Sequence, residues 1–138
     1  MIASIPYLNF DGNCKEAITF YHECLGGDLM LSTFGESGMD VPAESKDRIV
    51  HARITSGAKV ILMASDTMVG MPYVQGNSVS ISVACESDAE VDSLYGPLSA
   101  GGKEGMAPND AFWNARFAMF TDKFGFNWML NHERATPV

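Results

Sequence analysis

One pattern of structural punctuation occurs twice in this chain, its two copies 74 positions apart. In the first copy a short apolar run, Ile5–Phe10, leads into the turn Asp11-Gly12-Asn13. Asn13 followed by Glu16 has the spacing of a capping box, in which two side chains satisfy backbone N–H groups at a helix start. Cys14, Ala17, Ile18, Tyr21, Cys24 and Leu25 then recur at helical spacing, and Gly26-Gly27 stops the helix. In the second copy Val79–Cys85 alternates as a half-buried strand does, and Ser87 with Glu90 repeats the capping box. Val91, Leu94, Tyr95 and Leu98 form the apolar stripe, closed by Gly101-Gly102. Gly96-Pro97 falls inside this second helix. Proline removes a hydrogen bond there, which predicts a kink or an early end.

After each helix the chain reads as strands. In the first half these are Asp28–Thr33, Arg48–Thr55 and Lys59–Ala64; in the second, Lys103–Met106, Phe112–Thr121 and Phe126–Asn131. Each half is therefore β-α-β-β-β, with boundaries at about 1–66 and 77–138. One helix on one small sheet makes a thin core, so residues 1–138 are predicted to form a single α+β domain whose halves pack together. Gly35–Lys46 and Ser65–Gly76 lack periodicity. The second, with Met68, Met71, Pro72 and Tyr73, reads either as an adaptable apolar lid or as a loop packed on the surface or another subunit.

Composition narrows the partners. With 9 Lys and Arg against 17 Asp and Glu, the net charge is −8 and the pI about 4.6. Binding to nucleic acid or to an anionic membrane needs the opposite sign. At 46% hydrophobic and 19% charged, the chain is not a disordered one. Cys14 and Cys24, ten positions apart on one helix, sit about 15 Å from each other, too far to bridge. The beginning MIASIPYLNF has no basic, long-apolar leader pattern, and no run reaches membrane-span length. Together these predict a cytoplasmic protein with reduced thiols.

A wider set of residues carries a family likeness. Pro6-Tyr7-Leu8, Gly12-Asn13-Cys14 with Glu16-Ala17, Phe20-Tyr21 and Gly26-Gly27 open it. Ile49-Val50-His51-Ala52, Leu62-Met63-Ala64-Ser65-Asp66, Phe112-Trp113 with Ala115-Arg116-Phe117, and Asp122-Lys123-Phe124-Gly125 with Trp128-Met129 complete it. In these the chain resembles the PhnB-like family of the vicinal oxygen chelate superfamily, which includes glyoxalase I, bleomycin resistance proteins and extradiol dioxygenases. The resemblance implies two β-α-β-β-β modules with curved mixed sheets around a shared cavity, and a homodimer. Some family members carry a demethylubiquinone methyltransferase label. None of the 13 glycines here forms a GxGxxG turn, so the residues themselves lend that label no support.

Superfamily enzymes hold one divalent metal with His and carboxylate ligands, and the metal acts as a Lewis acid. By the resemblance, the four ligand positions fall on Ile5 or Pro6, on His51, on Ser78 or Ser80, and on Met129. Only His51 is a strong ligand, so no cofactor is expected. A divalent metal would need replacement ligands, such as Asp66 or Glu44 beside His51.

The remaining candidates follow from strand alternation. His51, Arg53 and Thr55 share one face, with Val50, Ala52 and Ile54 on the other. A guanidinium beside an imidazole suits an anionic or carbonyl-bearing small molecule, with His51 the best candidate for an acid or base. The bland alternative is His51 bonded to its neighbours and Arg53 paired with an acid. Tyr7 and Asn9 alternate with Leu8 and Phe10 and are placed on the pocket side. Trp113, Arg116 and Trp128 are large enough to wall a pocket, although Trp128 should face the helices, leaving Asn127 and Asn131 as better candidates. Cys14 lies at a helix start, where the dipole favours a thiolate, yet also on the apolar stripe, which favours inert packing. His22 and His132 read as idle. The cluster Glu86, Asp88, Glu90, Asp92 complements a helix start and lacks calcium-loop spacing.

The sequence thus predicts a small-molecule-binding protein of undetermined reaction, contacting its ligand through Tyr7, Asn9, His51, Arg53, Trp113, Arg116 and Asn131. The alternatives are a divalent-metal-dependent lyase or dioxygenase and a drug-sequestering protein, whose acidic surface would attract cationic drugs.

Overall fold

The computed structural model describes residues 1–135; the last three residues of the predicted second module lie outside them. The chain divides into two compact units, Met1–Gly76 and Asn77–Val138. The first contains β1 (Tyr7–Phe10), α1 (Cys14–Leu25), β2 (Asp28–Thr33), a short 3-10 turn (Ala43–Ser45), β3 (Ile49–Ser56) and β4 (Lys59–Asp66). The second contains β5 (Ser80–Ala84), α2 (Asp88–Ser99), β6 (Lys103–Ala111), β7 (Ala115–Thr121) and β8 (Asn127–Glu133).

Each unit builds the same open mixed sheet. The strand orders are β1-β4-β3-β2 and β5-β8-β7-β6, with the first strand of each module parallel to its neighbour and the other pairs antiparallel. In each module the helix covers one face. Cys14, Ala17, Ile18 and Tyr21 of α1 are buried, as are Leu8, Phe10, Ala52, Ile54, Leu62 and Ala64 of the sheet. In the second module Val91 and Leu98 of α2 are buried, with Ile81, Ala118, Phe120, Trp128 and Leu130. Burying a side chain of this size contributes about 1.5–3 kcal/mol, so this face carries most of each module's stability. The opposite face of each sheet is left uncovered by its helix.

The diglycines do more than stop helices. A Cβ on Gly27 would lie 2.4 Å from the Thr55 carbonyl oxygen, and one on Gly102 would lie 2.0 Å from that of Thr121. The chain leaving each helix presses against the third strand of its module, a contact only glycine permits.

Several local expectations are corrected. Asn13 occupies the α1 cap position but its side chain makes no capping bond; the carboxylate of Asp66, at the end of β4, takes its place, accepting the N–H groups of Gly12 at 2.8 Å and Cys14 at 3.0 Å. A carboxylate arriving from another strand is a charged acceptor, stronger than an amide. At α2 half of the box forms: Ser87 Oγ accepts the Glu90 N–H, while the Glu90 carboxylate accepts the N–H of Glu86 rather than that of the cap residue, each at 3.0 Å. Pro97 does not end α2, which runs on to Ser99. The proline leaves the Ser93 carbonyl without its helical N–H donor, and the buried Leu98 holds the last turn in place. β6 extends to Ala111, past two register shifts, and as an edge strand it tolerates Pro108. Phe112 and Trp113 therefore belong to the β6–β7 turn with Asn114, whose φ of 59° is left-handed. No helix among the described residues is long and apolar enough to cross a membrane.

Candidate functional site

The uncovered face of the first sheet collects the polar residues that alternate with the core. β1 and β3 both neighbour β4, so Tyr7 and His51 stand on either side of it. The Tyr7 hydroxyl meets His51 Nδ1 at 3.1 Å, with ring centroids 5.8 Å apart. A hydroxyl that donates to Nδ1 holds the neutral imidazole with its proton on Nε2, which then points away from the tyrosine. His51 is half-buried and Tyr7 is 41% exposed.

Arg53 lies in the row Tyr7–Met63–Arg53–Met30 that crosses all four strands. Its side chain is exposed. Each of the other three arginines is engaged: Arg48 with Asp11 at 2.9 Å, Arg116 with Asp92 at 3.0 Å, and Arg134 with Asp88 at 2.9 Å. Among the described residues Arg53 alone of the arginines has no carboxylate partner, in a protein where carboxylates outnumber cations almost two to one.

Asn9 shares this face by alternation. Its side chain is exposed and its backbone carbonyl accepts the Tyr73 hydroxyl at 2.7 Å. Tyr73, a residue of the Met-rich loop, thus ties that loop to the β1 edge, with Val69 N–H bonded to Ser45 Oγ at 3.0 Å as a second tether. Its phenol is held above the usual range by partial burial, and then by the negative charges of Asp11 and Asp66.

In the second module the expected residues separate. Trp113 Nε1 donates to Asn131 Oδ1 at 3.2 Å and its ring lies 5.2 Å from that of Phe117. These three gather on the uncovered side. Arg116 does not join them. It points to the α2 side and is bound by Asp92 and Asp110. His132, expected to be idle, lies in β8 and bonds Asp88 at 2.8 Å; His22 bonds the Gly27 carbonyl at 2.9 Å. Trp128 is buried, its Nε1 donating to Asp122 at 2.7 Å, and Asn127 accepts from Thr121 Oγ1 at 2.8 Å on the uncovered side.

The thiol of Cys14 is pushed up to about 12 by burial and then by the neighbouring Asp66, so the inert reading holds and helix-dipole activation is overridden. Cys85 is raised to about 11 for the same first reason.

The positions matched to a divalent metal centre offer an isoleucine or proline, His51, a serine and a thioether. Asp66 does not supply the missing oxygen: Oδ1 accepts from Gly12 and Cys14, and Oδ2 from the Ile49 N–H at 2.9 Å. Among the described residues no three His, Cys, Asp or Glu side chains converge as a ligand set. One imidazole among these four residues is not the donor set of a hard or borderline cation.

Two such modules, each a four-stranded mixed sheet under one helix, define the glyoxalase/bleomycin resistance/dioxygenase fold. A glyoxalase/bleomycin resistance protein/dioxygenase family enzyme from Burkholderia phytofirmans shares it at TM-score 0.64 and 15% identity, over 96% of this chain and 100% of that one. Within that fold the chain belongs to the PhnB-like, 3-demethylubiquinone-9 3-methyltransferase family, whose profile matches residues 3–131. Protein YjdN of Escherichia coli K12 is 32% identical, covering 96% of this chain and 97% of YjdN. The crystal structure of protein PA1353 from Pseudomonas aeruginosa is 41% identical, with a TM-score of 0.84, over 98% of this chain and all of that one.

Proposed function

We propose that this protein binds an anionic small molecule on the uncovered face of its first sheet. Arg53 holds the carboxylate or phosphate, and the Tyr7–His51 pair meets an adjacent carbonyl or hydroxyl. The observation that carries this reading is the contrast among the arginines: three are neutralised by aspartates, and the fourth stands exposed beside a bonded Tyr–His pair. A guanidinium offers a planar fork that matches carboxylate and phosphate oxygens. His51 is the residue placed to pass a proton to or from such a ligand. Asn9 enters as a further contact on this face.

On this reading binding needs no resident divalent cation. The donor set supports that, since His51 is the lone strong ligand at the matched positions. A homodimer and a cytoplasmic setting complete the proposal, the first supported by the superfamily resemblance and the second by three cysteines, none of them bridged.

The test is a chemical-shift titration of the full chain with pyruvate and with inorganic phosphate. Saturable shifts at Tyr7, His51 and Arg53, lost in Arg53→Ala, are expected from at least one probe. Shifts that spare these residues, or that survive Arg53→Ala unchanged, would overturn the reading. Elemental analysis of the purified protein addresses the metal-dependent lyase or dioxygenase alternative: stoichiometric zinc, nickel, manganese or iron that is lost in His51→Ala would establish it. Titration calorimetry with bleomycin addresses the drug-sequestering alternative.

A further inference from the structure

Three methionines stand side by side on the second sheet. Met106 of β6 is the register partner of Met119 of β7, and Met119 is the partner of Met129 of β8. Directly opposed residues on antiparallel strands project from the same face. Ala118, Phe120, Trp128 and Leu130, which alternate with them, are the buried residues, so the thioethers lie on the uncovered side. Met106 is 45% exposed and Met119 40%, values far above those of a core residue, and Met129 is half-buried.

The spacing lets the sulfurs converge. Neighbouring strands lie about 4.8 Å apart, and methionine has three rotatable bonds, so the outer two side chains can lean toward a point above Met119. Gly105 lies against Met119: a Cβ there would sit 3.0 Å from the Met119 carbonyl oxygen and 3.4 Å from its Cγ. The first sheet shows the contrast: Met63 and Met30 share a row, but Arg53 stands between them and would repel a cation.

Thioethers are neutral, soft donors. They bind without losing a proton and select soft monovalent ions over magnesium, calcium or zinc. We infer that Met106, Met119 and Met129 form a three-thioether site for a soft monovalent cation, Cu(I) or its redox-inert analogue Ag(I). All three residues belong to the second module.

The experiment uses the full chain carrying Cys24→Ser, which removes the most exposed thiol as a competitor, with the methionine methyl groups labelled with carbon-13. Chloride-free Ag(I) is added to one equivalent. The methyl signals of Met106, Met119 and Met129 should move together while the other six stay put, and one equivalent of Zn(II) should leave all nine unmoved. Met119→Leu, close in volume and apolar, should weaken the response of the other two at least tenfold, and Met106→Leu should do the same to its partners. Uniform shifts of all nine methyls, shifts confined to the neighbourhood of Cys14 or Cys85, or an unchanged response in the folded Met119→Leu protein would each overturn the assignment.

Discussion

The carboxylate of Asp66, at the end of β4, accepts the N–H of Cys14, the first residue of α1, at 3.0 Å. With the bonds from Gly12 and Ile49 it ties the helix start, the β1–α1 turn and the start of β3 to one buried group. Asp66→Ala would leave three backbone donors without their charged acceptor. The expected loss is roughly 3–5 kcal/mol in urea unfolding. A loss under about 1 kcal/mol would show that water or Asn13 takes over the cap.

Cys14 provides a second test. Its thiol is raised from the ordinary value of 9 to about 12, so native protein should resist alkylation at Cys14 at pH 8 and react fully in denaturant. The sign of the linked stability follows. The native state keeps its proton where the unfolded chain loses it, so this contribution is whole below pH 9 and fades as pH rises toward 12. Unfolding measured at pH 7 and pH 10.5 should show a smaller decline in Cys14→Ala than in the parent.

In the second module, Asp88 is held below the ordinary carboxylate range, first by hydrogen bonds from Arg134 and then by His132. A depressed carboxyl contributes stability that is present above its unfolded value near 3.8 and lost as pH falls through its folded value. Asp88→Asn should therefore flatten the acid limb of the stability curve below about pH 4. Because the group is exposed, 1 M salt should shrink the difference. An acid limb identical to the parent's would contradict the pairing.

The Tyr7–His51 bond predicts a tautomer. Nitrogen-15 shifts of the His51 ring should report Nδ1 as the hydrogen-bond acceptor, and Tyr7→Phe should move that signal without unfolding the protein. A ring with the same Nδ1 shift in both proteins would mean the bond is not formed in solution.

Much of the architecture was legible because its signals are local. Helical spacing marks Cys14–Leu25, alternation marks Val79–Cys85, and the diglycines mark both helix ends, each within a dozen residues. What was not legible depends on contacts between distant residues. Asp66 displaces Asn13 as a cap from 52 positions beyond Cys14. Arg116 is claimed by Asp92, 24 positions earlier. Alternation placed Tyr7 and His51 on pocket-facing sides, but their contact depends on β1 joining the edge of β4, which neither segment encodes alone. The start of β7 was misplaced because Phe112 and Trp113 look like strand residues, while Asn114 turns the chain after them.

The most direct measurement is titration calorimetry of chelator-treated protein with pyruvate and inorganic phosphate, in buffer containing EDTA. The account predicts saturable binding of at least one anion under these metal-free conditions, weakened about 10- to 100-fold by Arg53→Ala, the loss of one charge-assisted contact. Binding that appears only after zinc, nickel, manganese or iron is restored would contradict it.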